Sequence, residues 1–114
     1  MVLNATVIEE IREALGDDTL RGFLVRVLAE VEETSDTLRK LLAVKDYAMV
    51  AATAHRTAGS AASVGAAGLH AALKDIENAA RKAESVSALP GLVSALPGHT
   101  AQTRAALAEI LGPI

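Results

Sequence analysis

The sequence predicts an all-α fold, an antiparallel up-down-up-down four-helix bundle with an extra short helix at the N-terminus. Three observations carry this. The 114 residues are 51% hydrophobic, and much of that is alanine and leucine, which favour helix over strand. Apolar residues recur at three- and four-residue steps along most of the chain, the spacing of one buried helix face. Glycine, proline and aspartate punctuate those stretches, and the gaps are short enough to make successive helices antiparallel neighbours. One domain spanning residues 1–114 is expected to hold all of it.

The first helix is expected over Ala5–Leu15. Thr6 and Glu9 have capping-box spacing, Gly16 is a natural stop, and Val7, Ile8, Ile11 and Leu15 form an apolar stripe. Asp17 or Asp18 can cap the second helix, expected to reach Ala43. Leu20, Leu24, Val27, Val31, Leu38, Leu41 and Leu42 make its stripe, which Thr34 and Ser35 interrupt. Arg21, Arg26, Glu30, Glu33, Arg39 and Lys40 read as its solvated face. Asp46 suits the cap of a third helix, Tyr47–Val64, burying Tyr47, Val50, Ala54, Thr57, Ala61 and Val64, with Gly65 at its end. A fourth helix, Ala66–Glu84, buries Leu69, Leu73, Ile76, Ala80 and Ala83. Ser-Ala-Leu-Pro-Gly then occurs twice, at Ser87–Gly91 and Ser94–Gly98. Proline suits a first helical turn, so the repeat reads as helix starts. The preferred reading is a last helix from near Leu89 to Leu111, broken at Pro97, with a fresh start near Thr100 as the alternative.

Composition removes several classes of function. The net charge is −3 and only Phe23 and Tyr47 are aromatic, so neither a basic track nor a base-stacking platform is present for nucleic acid. Without cysteine there is no disulfide framework or thiol nucleophile. The three histidines share no metal-ligand spacing, and no metal site is expected. The N-terminus lacks the basic and apolar regions of a signal peptide, and no apolar run approaches the roughly 20 residues of a membrane span. The expectation is a soluble, cytoplasmic protein, and a closed bundle favours a monomer.

His55 is the residue that stands out. At about 100° per residue it lies roughly 130° from the centre of the third helix's apolar face, so its ring should point to solvent. Ala51, Ala52, Ala58 and Gly59 lie within one turn of it, and Ala48 and Ala62 one turn further out. Together Ala51, Ala52, Ala58, Gly59 and Ala62 suggest a flat docking surface. A helix-interior glycine costs roughly 1 kcal/mol relative to alanine, which points to something approaching the backbone beside His55. A neutral imidazole has a lone pair near pH 7 and can take a phosphoryl group without a separate base. Such transfer depends on positioning and on neutralising charge. Arg56 is adjacent, and His70, Lys74, Glu77 and Arg81 form one polar stripe on the fourth helix. Lys74 and Arg81 are the favoured cations if the two helices are neighbours. The blander alternatives are a close helix–helix contact for the small residues and a solvated Glu77–Arg81 pair for the stripe.

The string Ala54-His55-Arg56-Thr57-Ala58-Gly59-Ser60-Ala61-Ala62-Ser63-Val64-Gly65-Ala66 resembles the histidine phosphotransfer (HPt) motif, A-H-x-L-K-G-[SA]-[SA]-x-x-[VL]-G-[AL]. Leu69, Leu73, Glu77, Ala80 and Arg81 downstream, and Leu38, Leu41, Leu42, Asp46 and Val50 upstream, resemble the flanking helices of that family. The likeness covers roughly Leu20 to Glu84. It implies an antiparallel bundle with an exposed phosphoacceptor, His55, serving receiver-domain aspartates and a sensor or hybrid histidine kinase. It implies a phosphocarrier without kinase activity of its own, and no cofactor except Mg²⁺ on the partner receiver. The family's polar ring-contacting residue falls on Glu77. The family's lysine three positions after the histidine is Ala58 here, and its leucine two positions after is Thr57. Arg56, Lys74 or Arg81, or the partner, must then supply the missing cation. The competing reading is a degenerate helical adaptor that binds signalling partners without taking phosphate. A kinase dimerisation domain fits less well, because Arg56-Thr57-Ala58-Gly59 lacks its acid-and-proline box. A P-loop is absent, since no Gly-Lys-Ser/Thr follows Gly59.

Overall fold

The computed structural model describes residues 1–114 and is helical throughout: α1 Ala5–Leu15, α2 Asp17–Ala43, α3 Tyr47–Ser63, α4 Ala67–Ala80, a 3₁₀ segment Ala83–Ala88, α5 Leu89–Ser94 and α6 Leu96–Leu111. Helix α2 packs on α3, α3 on α4, α4 on α6 and α6 back on α2, which closes a four-helix ring. The molecule measures 43 × 20 × 19 Å. The long dimension is close to that of α2, whose 27 residues span about 40 Å at 1.5 Å per residue. Leu20, Leu24, Leu28, Val31, Leu38, Val50, Leu69, Leu73, Ile76, Leu96 and Leu107 fill the interior. No helix is long and apolar enough to cross a membrane.

Several boundaries differ from expectation, each for a local reason. Asn4, not Thr6, caps α1, its Oδ1 accepting from Val7 N at 3.3 Å. The segment before α1 is pinned to the α3–α4 turn: Asn4 N donates to Gly65 O at 2.8 Å and Gly68 N to Val2 O at 2.9 Å. This turn needs Gly65. Its φ is +79°, and a Cβ there would stand 3.0 Å from Ile8 Cγ1. The cap of α2 is Gly16, and Asp17 turns back to Arg12 at 2.9 Å. Thr34 and Ser35 do not interrupt the stripe of α2; both are buried, and Thr34 Oγ1 lies 2.8 Å from Thr57 Oγ1. Arg21, assigned to the solvated face, is half-buried and reaches the Leu111 carbonyl. Helix α4 stops at Ala80 rather than Glu84, leaving Ala83 exposed. Ser85 Oγ donates to the carbonyls of Ala79 (3.0 Å) and Lys82 (3.2 Å), replacing bonds that another helical turn would make. The last helix is broken as preferred, but at Ala95, with Pro90 and Pro97 in the first turns of α5 and α6. Leu15 and Ile110, expected on buried stripes, are exposed.

Candidate functional site

Helices α3 and α4 make the closest seam of the bundle. Ala51, Ala54, Ala58 and Ala61 are buried on α3, and Leu69, Leu73, Ile76 and Ala80 on α4. Methyl groups on one side allow α4 to lie close to α3, and so bring its polar edge to His55. Ala51 and Ala58 are 3% and 1% exposed, so they belong to this seam and not to the docking surface the sequence suggested. Both project about 50° to one side of His55, the side that α4 covers. Ala52 and Gly59 on the other side are exposed, and so are Ala48 and Ala62, two turns away and nearly in line with His55, as expected of a bare floor. A Cβ on Gly59 would meet nothing within 4 Å. Internal packing therefore gives no reason for glycine there.

The His55 side chain is 66% exposed. Its Nδ1 lies 3.0 and 3.1 Å from the two carboxylate oxygens of Glu77. An ionised carboxylate only accepts, so Nδ1 carries the proton in that bond, and in the neutral ring Nε2 keeps its lone pair. Glu77 itself is only 5% exposed. Lys74 Nζ donates to its Oε1 at 2.8 Å, and Arg81 Nη2 and Nε donate to Oε2 at 2.7 and 3.2 Å. Lys74 above all, then Arg81 and His55, outweigh burial and draw the carboxyl from 4.5 down to about 2. Glu77 is thus an anion at any pH near neutrality.

The seam brings together His55, Lys74, Glu77 and Arg81. Arg56 is exposed and takes no part in the Glu77 cluster. His70, placed in the same stripe by sequence, instead turns inward, its Nδ1 3.1 Å from the Ala58 carbonyl. The burial of Glu77 was not foreseen. Its signal is an acid with a lysine three residues before and an arginine four after, opposite the histidine. No group of three or more His, Asp or Glu is placed to hold a metal ion. Chemically, the site is an exposed ring nitrogen with a free lone pair, a fixed proton on the other nitrogen, and two cations bonded to the carboxylate that holds the ring.

The family model for the Hpt domain matches residues 22–110, which takes in most of α2, all of α3 to α5, the Glu77 cluster and nearly all of α6. No curated protein and no solved structure gives a significant match. The chain belongs to the Hpt domain family, whose members carry out histidine phosphotransfer in two-component systems.

Proposed function

We propose that this chain is a cytoplasmic phosphocarrier. His55 takes a phosphoryl group from the aspartate of one receiver domain and passes it to another, and a sensor or hybrid histidine kinase feeds the relay. The observation that carries this is the exposed His55 ring tied through Nδ1 to a buried carboxylate, which leaves Nε2 as the free nucleophile. Its lone pair attacks phosphorus in line. The bond from phosphorus to the aspartyl oxygen breaks, and its electron pair stays on the aspartate. Such a reaction asks for position and charge neutralisation, not for a base on the carrier. Lys74 and Arg81 supply positive charge beside the ring, taking the part of the lysine absent at Ala58, and Arg56 adds to it from α3. Mg²⁺ acts on the receiver's side. Ala52, Gly59 and Ala62 let the receiver's active site approach the ring.

The test is transfer of labelled phosphate from phosphorylated receiver domains to wild type and His55→Gln. Acid-labile, base-stable label on wild type alone is the expected result. If wild type stays unlabelled while a known phosphotransfer protein accepts label from the same donors, the reading fails and a binding-only adaptor takes its place.

A further inference from the structure

Glu77 does more in this geometry than orient a ring. When Nε2 attacks phosphorus, the product is an imidazolium with phosphorus on Nε2 and a proton on Nδ1. Onward transfer breaks the P–N bond and returns its electron pair to Nε2. With the proton on Nδ1 the leaving group is a neutral imidazole. Without it the leaving group is an imidazolide anion, which departs far more reluctantly. The occupant of Nδ1 therefore decides whether the phosphorylated carrier is ready to transfer or is a store.

The groups facing the ring can be named. From α4 come Glu77, Lys74 and Arg81, while His70 is bound to the Ala58 carbonyl. On α3 itself, Arg56 is exposed. Helix α2 meets α3 elsewhere, through Thr34 to Thr57 and Glu30 to Ser60. Glu77 is the one anion among those at the ring, and a carboxylate can only accept. An amide at this position can accept from a protonated Nδ1 or donate to a bare one, and so would tolerate both states. Remove the negative charge and Lys74 and Arg81 remain, two cations that oppose a proton on the ring.

We propose that the buried Glu77 carboxylate keeps the proton on Nδ1 of phosphorylated His55, so that this carrier passes its phosphoryl group on quickly instead of storing it. The inference rests on the reading of His55 as the phosphoacceptor. In the absence of a receiver, water takes the phosphoryl group by the same bond cleavage: its oxygen joins phosphorus, the P–N pair returns to Nε2, and dihydrogen phosphate leaves.

The full chain is phosphorylated chemically with phosphoramidate and freed of donor, and loss of phosphate from His55 is followed by ³¹P NMR between about pH 6 and about pH 10. His55→Gln identifies the signal, and circular dichroism confirms that each variant is folded. In Glu77→Gln the alkaline fall in hydrolysis rate begins at least about one pH unit lower than in wild type, making the phosphohistidine roughly tenfold longer-lived on that limb. Lys74→Met, which leaves Glu77 less neutralised, moves the fall the other way. Coincident profiles for wild type and Glu77→Gln, or a shift of Lys74→Met in the same direction as Glu77→Gln, overturn the inference alone. Absence of phosphate on His55 in every protein overturns the inference together with the reading beneath it.

Discussion

Glu32 and Glu77 each pair with an arginine, and their surroundings are opposite. Glu32 meets Arg104 at 3.1 Å across α2 and α6, with side chains 63% and 41% exposed. Glu77 meets Arg81 at 2.7 Å with its own side chain 5% exposed. The first pair keeps its hydration, and such bridges contribute little, typically below about 1 kcal/mol. The second carboxylate has given up its water and is held by three partners, His55, Lys74 and Arg81. A leucine at position 77 would extend the apolar row of Leu73, Ile76 and Ala80 at no desolvation cost. The bundle has no need of a buried acid there, but the His55 ring does. The same distinction separates two glycines: Gly65 is required by its φ of +79° and by Ile8, while Gly59 has open space around it.

The largest effect should come from Glu77. Glu77→Ala removes the acceptor of three donors and lowers stability by about 2 kcal/mol in urea denaturation, less than for a fully buried pair because Lys74 and Arg81 can turn to water. Loss below about 0.5 kcal/mol would place Glu77 in the same class as Glu32 and break the comparison. The acid limb sharpens it. A carboxyl lowered from 4.5 to about 2 on folding contributes stability that is complete above 4.5 and is lost as pH falls towards about 2. Wild type should lose stability across that window, and Glu77→Gln should lose markedly less, as followed by circular dichroism.

Next come the glycines. Gly65→Ala forces a β-carbon into a left-handed backbone against Ile8, and should cost roughly 1–2 kcal/mol. Gly59→Leu should raise stability by roughly 1 kcal/mol and yet slow phosphotransfer from a receiver, as read by label incorporation. Unchanged transfer would remove the case for a bare docking floor. The smallest effect belongs to Glu32→Ala, which should change stability by no more than about 0.5 kcal/mol and leave transfer unaltered.

The local features were legible in the sequence. Asp46 caps α3 with Met49 N at 3.2 Å, Gly16 ends α1 with positive φ, and His55 is exposed. Each depends on residues within a turn or two. What escaped depends on distant chain. Thr6 loses the cap to Asn4 because the N-terminus is bonded to Gly65 and Gly68, some 60 residues on. The small residues around His55 look symmetrical on a helical wheel, and only the position of α4 decides that Ala51 and Ala58 are buried while Ala52 and Gly59 are open. The stripe Lys74, Glu77, Arg81 reads as polar neighbours of His55, and only the packing of α3 beside α4 decides that Glu77 is buried while Lys74 and Arg81 stay partly exposed. Helix α4 could not be seen to end at Ala80, because one of its terminal carbonyls, that of Ala79, is satisfied by a serine six residues on.

The most direct measurement is NMR on ¹⁵N-histidine-labelled protein phosphorylated through a receiver. One-bond phosphorus coupling to Nε2 of His55 and a proton on Nδ1 are expected, with no phosphohistidine signal from His70 or His99. Phosphorus on Nδ1 of His55, or on another residue, would contradict this reading.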